Sequence, residues 1–230
     1  LALSKAEGEF VAFLDCDDEF LPNKLHDQVS IMQKYNVDMC YGSTFHIDNK
    51  SNIIRKKRVR NKVGDIFSKL LIQYNINMQS VMIRRNFLKN HNLTFDQSLS
   101  FSPDYDLFME IALLGRSCSL SKYLSKYRLH SKSLTHKSQH LICKEGLYTL
   151  DRLEKKYGNI NKKYSFYLDY AKSVFRMQEA ISCLQNNSSD QAKKVLIKKF
   201  PIYPKSLILL FLIYIGLSPR LILIIIRRAK

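Results

Sequence analysis

Apolar and polar positions alternate along the chain with two different periods, and the change falls near residue 140. Residues 9 to 14, EFVAFL, form a short apolar run of the kind a buried parallel strand shows. Pro22 suits the first turn of a following helix, with Leu25, Val29 and Met32 at i, i+4 and i+7 along one face. VDMCYG, residues 37 to 42, reads as a returning strand, and residues 50 to 62 read as a solvated hairpin or loop. A helix is expected from about residue 65 to 74, a strand over 79 to 85, and a short helix to about His91. SFSPDYDLFMEIALLG, residues 100 to 115, carries helix signals at both ends: Ser102 can cap, Pro103 suits the first helical position, and Gly115 stops the helix. Residues 118 to 130 are expected to be extended and to end the sheet-bearing part.

Beyond residue 141 the period is helical throughout, with one helix marked by Leu147, Leu150 and Leu153, a second over 161 to 185, and a third over 188 to 200. The apolar run 207 to 217 is interrupted by Ser218, Pro219 and Arg220 before a second run, 221 to 226. Eleven residues are too few to cross a bilayer, so an in-plane interfacial helix pair is expected, with a span or a buried helix pair as the other readings. The expected organisation is an α/β domain over 1–140, a helical extension over 141–205, and a membrane-associated segment over 206–230. The first residues, LALSKAEG, read as the end of a helix stopped by Gly8, which leads to the expectation of an upstream portion.

Composition adds the charge. The 230 residues carry a net charge of +17, and residues 141 to 230 hold 17 Lys and Arg against 6 Asp and Glu. That half should be drawn to an anionic partner, and Arg227, Arg228 and Lys230 favour a cytoplasmic membrane face. No helix-turn-helix, zinc finger or RNP-type aromatic motif accompanies the charge, so no specific nucleic-acid partner is expected. The five cysteines lie far apart, without a CxxC pair, which fits a reducing compartment.

The candidate chemistry begins at Asp15, Asp17 and Asp18, three carboxylates at the carboxyl end of the first strand. Carboxylates so close repel one another unless a proton or cation lies among them. An EF-hand would need Gly and Glu where Phe20 and His26 stand, so that loop is excluded. A turn that only caps the next helix remains as the bland reading. Asp104, in the first turn of its helix, is placed where a carboxylate is stabilised in the charged form and can accept a proton.

AEGEFVAFLDCDDEFLPNKL resembles the centre of a family 2 glycosyltransferase of the GT-A (Rossmann-like) fold, SFSPDYDLFMEIALLG resembles that family's second motif, and YRLHSKSLT resembles the close of its catalytic domain. The resemblance implies a partial GT-A mixed sheet with flanking helices and an inverting sugar transfer. The donor would be a nucleotide sugar, and the acceptor a hydroxyl of a glycan or lipid-linked molecule, in polysaccharide or glycoconjugate synthesis. It assigns Asp15 and Asp17, supported by Asp18, to the nucleotide and to Mg²⁺ or Mn²⁺. It makes Asp104 the general base and makes Arg128 and His130 contacts of the diphosphate or of the metal's shell. Pro103 stands where the family usually has Glu. The alternative is a non-catalytic relative acting as a membrane-associated interaction protein.

Overall fold

The computed structural model describes residues 2–129, 139–197 and 203–228. The chain divides into two compact units, Leu1–Ser98 with Pro103–Ser133, and Leu99–Ser102 with Leu134–Lys230.

The first unit is built on a mixed sheet. Its strands are β1 (Phe10–Ala12), β2 (Glu19–Phe20), β3 (Met39–Ile47), β4 (Ile53–Lys57), β5 (Lys62–Gly64), β6 (Met82–Arg84) and β7 (Ser117–Arg128). The order is β1-β6-β3-β7-β2, with β4 paired to β3 and β5 to β7. Long β3 and β7 run parallel at the centre; every other pair is antiparallel. The expected parallel, buried first strand is therefore corrected: β1 lies at the sheet edge, pairs antiparallel with β6, and only Val11 of its three residues is buried. The helices are α1 (Ala2–Lys5), α2 (Lys24–Tyr35), α3 (Phe67–Ile72), α4 (Arg85–Asn90) and α5 (Pro103–Leu114).

Two local outcomes differ from the sequence pattern. The buried face of α2 is Lys24, Gln28 and Met32; Met32 is buried as expected and Val29 packs against the same core, but Leu25 is half exposed and Lys24 and Gln28 take the face ahead of it. Polar side chains can occupy that face because they find partners. Lys24 Nζ donates to Gln28 Oε1 (2.6 Å) and to the Val81 carbonyl (3.3 Å), and Gln28 Nε2 donates to the carbonyls of Cys40 and Ser80. The expected strand over 79–85 opens with a 3-10 turn, Met78–Ser80, before β6. The sheet packs on Met32, Val37, Cys40, Met82 and Cys118. At Gly42 any Cβ would lie 2.3 Å from Leu124 Cδ1, so glycine is what lets β3 and β7 close there.

The second unit is helical, as its period predicted: α6 (Gln139–Lys156), α7 (Ile160–Gln185), α8 (Ser189–Ile197), α9 (Pro204–Tyr214) and α10 (Pro219–Arg228). Within it, Glu145 accepts the backbone N–H groups of Ser100, Phe101 and Ser102 and the Ser102 hydroxyl. Lys172, buried on α7, pairs with Asp151 (2.5 Å) and Glu154 of α6. Helices α7 to α10 share one apolar core containing Met177, Leu184, Leu196, Leu209, Leu212 and Ile222. No helix among the described residues is long and apolar enough to cross a membrane. The opposite side of α9 and α10 is apolar and exposed, at Leu207, Ile208, Phe211, Tyr214, Ile215, Leu221 and Ile224.

Candidate functional site

Asp15, Asp17 and Asp18 occupy the link between β1 and β2, closed by a bond from the Asp18 N–H to the Asp15 carbonyl (3.1 Å). The link is short, so the three carboxylates share one turn. Their shape is held from the far end of the unit by Arg128, the last residue of β7. The Arg128 backbone N–H donates to Asp18 Oδ1 (2.8 Å), and its Nε donates to the Asp17 carbonyl (2.8 Å). The two terminal nitrogens donate to the Asp48 carbonyl, to Ser51 Oγ and to Glu19 Oε1. A guanidinium has five N–H groups, and here each has an acceptor within the turn or the neighbouring β3–β4 connection. Glu19 also takes Lys126 Nζ (2.7 Å), and these two cations hold its carboxyl below the usual range, Lys126 foremost.

The carboxylates in this turn are under electrostatic load. Burial, and then Asp17, push the Asp15 pKa up. Burial is also the main cause at Asp18, where the neighbouring Asp17 and Asp15 outweigh part of the stabilisation from Arg128 and the pKa rises to about 6. Asp18 Oδ2 is buried without a hydrogen-bond partner.

Asp104 opens α5, far along the chain, yet belongs to the same electrostatic group. Burial raises its pKa and so does Asp15, while backbone N–H groups of Tyr105 and its own residue, and the Lys57 ammonium, lower it. Lys57 was read as part of a solvated charge run; it is half-buried, donates to Asn77 Oδ1 (2.5 Å), and burial followed by Arg55 lowers its pKa to about 8. Asn77 in turn contacts His46 Nε2 (3.3 Å), whose pKa is lowered by burial, Lys57 and Arg55. Tyr74 packs edge-on against Tyr105, with ring centroids 4.8 Å apart, and burial and Asp104 keep its phenol protonated.

The turn thus brings Asp15, Asp17, Asp18 and Arg128 together, and Asp104 is coupled to it through Asp15. His130 lies outside the described residues. Sequence reasoning missed Lys57 and Glu19. Strand alternation puts Lys57 on the face of Arg55, but nothing in the sequence marks which face meets α5. Among the described residues, no three acidic, His or Cys side chains are arranged to hold a metal ion.

A mixed sheet with flanking helices and a carboxylate turn at the end of its first strand defines a GT-A type of fold. S. aureus TarS, residues 1–349, shares that fold with a TM-score of 0.55 at 16% identity, over 96% of this chain and 59% of that one. Residues 1–98 match the family model Glycosyl transferase family 2. It is 33% identical over 138 residues to WfgD of Escherichia coli, a UDP-Glc:alpha-D-GlcNAc-diphosphoundecaprenol beta-1,3-glucosyltransferase, covering 58% of this chain and 51% of that protein. An uncharacterized glycosyltransferase of Methanocaldococcus jannaschii is 28% identical over 161 residues, covering 69% of this chain and 54% of the relative. The chain spans about half the length of these relatives.

Proposed function

We propose that the protein transfers a sugar from a nucleotide-sugar donor to a hydroxyl of a lipid-linked, diphosphate-bearing saccharide at the cytoplasmic face of a membrane. The observation that carries this reading is the electrostatic coupling of Asp104 to the aspartate turn, across about ninety residues of sequence. Asp104 is the general base: backbone N–H groups and Lys57 favour its charged form, while burial and Asp15 raise its affinity for the proton of the attacking hydroxyl. Displacement by that hydroxyl at the anomeric carbon inverts its configuration.

The aspartate turn suits a divalent cation. Its donors are hard oxygens, the preference of Mg²⁺ and Mn²⁺, and the unpartnered Asp18 Oδ2 beside like charges is relieved by a cation. The three side chains do not form a ready-made cage, so Asp17 and Asp15 would hold the ion with Asp18 in support, and the donor's phosphates would supply most of its shell. When bound, it supplies charge neutralisation for the departing nucleoside diphosphate. Arg128, its five guanidinium N–H groups committed to the turn and the β3–β4 connection, serves the diphosphate end of the donor by fixing the carboxylates and adding positive charge, and we assign His130 to the same end.

The domain assignment follows the same reading, with residues 1–140 catalytic, 141–205 a helical extension, and 206–230 membrane-associated. The exposed apolar side of α9 and α10 supports an in-plane attachment. The test is transfer of labelled sugar from a panel of nucleotide sugars to a lipid-linked diphosphosaccharide, with Mn²⁺ present. Asp104→Asn should cut turnover by roughly 10² to 10⁴. Turnover retained in that variant rejects the base.

A further inference from the structure

Residues 58–61 link β4 to β5 within the most basic stretch of the chain. From Arg55 to Lys62 six of eight residues are basic, and no acidic residue lies between Asp48 and Asp65. A run of this kind that only solvates a surface has no need of fixed geometry. This one has it.

Val59 is buried, 3% exposed, and its N–H donates to Ser43 Oγ (3.0 Å). The Ser43 hydroxyl donates onward to the Ser121 carbonyl (3.0 Å). Ser119 Oγ donates to the Arg60 carbonyl (2.7 Å), and the Ser121 N–H donates to Asn61 Oδ1 (2.6 Å). Two buried hydroxyls of the central strands, Ser43 and Ser119, are thus committed to holding this strap. With Val59 anchored inward, Arg58 and Arg60 on either side of it are both exposed. The strap and Ser121 border a shallow, solvent-open depression of about 430 Å³, lined by Arg58, Val59, Arg60, Asn61 and Ser121.

We propose that this strap is a binding site for a phosphate or diphosphate group, with Arg58 and Arg60 as its cationic arms. Guanidinium groups meet phosphate oxygens with paired N–H donors, and because the backbone on either side of Val59 is already fixed, only the two side chains remain to be ordered on binding. The assignment of the group to an acceptor's diphosphate rests on the proposed transferase activity; an anionic phospholipid headgroup offers the same chemistry.

The test is calorimetric titration of the intact chain with inorganic diphosphate at 150 mM salt, beside Arg58→Gln/Arg60→Gln and the charge-matched control Lys34→Gln/Lys89→Gln. Saturable binding that weakens at least tenfold in the arginine pair, and less than twofold in the control, is expected. Amide chemical shifts of Asn61 and Ser121 should move on titration of the wild-type chain, a readout independent of how the variants fold. A soluble prenyl diphosphate and vesicles containing phosphatidylglycerol then separate the sources, since only the true one loses affinity with the arginine pair. Absence of saturable diphosphate binding, unmoved Asn61 and Ser121 amides, or equal loss in the control overturns the site. None of these readouts depends on turnover, so loss of the Asp104 assignment and loss of this one are told apart.

Discussion

Replacing Lys24 by methionine should make the stability of the first unit less dependent on alkaline pH, by an amount the structure sets. Lys24 is 1% exposed, and burial lowers its pKa to about 8. The unfolded chain titrates it near 10.5, so holding the ammonium in the fold costs about 3 kcal/mol at pH 7. Below pH 8 both states carry the proton and the cost is complete. Between about pH 8 and 10.5 the unfolded chain binds the proton and the folded one does not, so stability rises with pH. At pH 9.5 about 1 kcal/mol of the cost remains. Lys24→Met removes the whole of it but leaves the Gln28 carbonyl oxygen without its donor, a loss of about 1 to 3 kcal/mol. The cation–π contact with Phe20 also goes. The variant should therefore range from unchanged to about 2 kcal/mol more stable at pH 7, and its advantage should shrink by about 2 kcal/mol by pH 9.5. Urea unfolding followed by circular dichroism at the two pH values gives both numbers. Lys57 titrates in the same window, but it is present in both proteins and cancels in their difference. A wild-type-minus-variant difference that stays flat with pH would refute the burial argument.

Other outcomes follow from single contacts. Lys57→Met removes a cation that lowers the Asp104 pKa, so the acidic limb of the transfer rate against pH should move to higher pH, and Lys57→Arg should restore it; an unmoved limb in a pH-rate profile separates Lys57 from the base. Gly42→Ala forces Leu124 aside in the tight β3–β7 contact and should cost about 1 to 3 kcal/mol in a thermal melt. Phe211→Asp and Ile224→Asp, on the exposed side of α9 and α10, should abolish sedimentation with anionic vesicles while leaving the melting temperature within a few degrees. Melting that collapses instead would place those residues in the core.

Much of the architecture was legible because it follows from period and punctuation. The alternation of the first 130 residues and the 3.6 period of the rest separate sheet from helices, and Pro103 and Gly115 mark α5 to the residue at its start. Strand partners were not legible, since an apolar run such as EFVAFL does not say whether its neighbour runs parallel or antiparallel, and β1 meets β6 in the antiparallel sense. The offset face of α2 was hidden for another reason. Lys24 and Gln28 look like surface residues until their acceptors, the carbonyls of Val81, Cys40 and Ser80, arrive from distant strands. Of the site, the aspartates stood out by their crowding. Lys57 did not, because only the fold shows that one member of a basic run turns toward Asp104.

Arg128 also has a consequence in time. Apart from the Asp18 N–H, which closes the turn on the Asp15 carbonyl, the donors that shape the aspartate turn belong to Arg128, 110 positions beyond Asp18, so the turn cannot take its full form until β7 has been made and paired. Ribosomal synthesis at about 5 to 20 residues per second leaves the three carboxylates waiting several seconds or more for their partner. Closing so long a loop is also slow by its nature. The aspartate turn is thus a late event of folding, and a nascent chain released before residue 128 would hold its aspartates in an unformed turn.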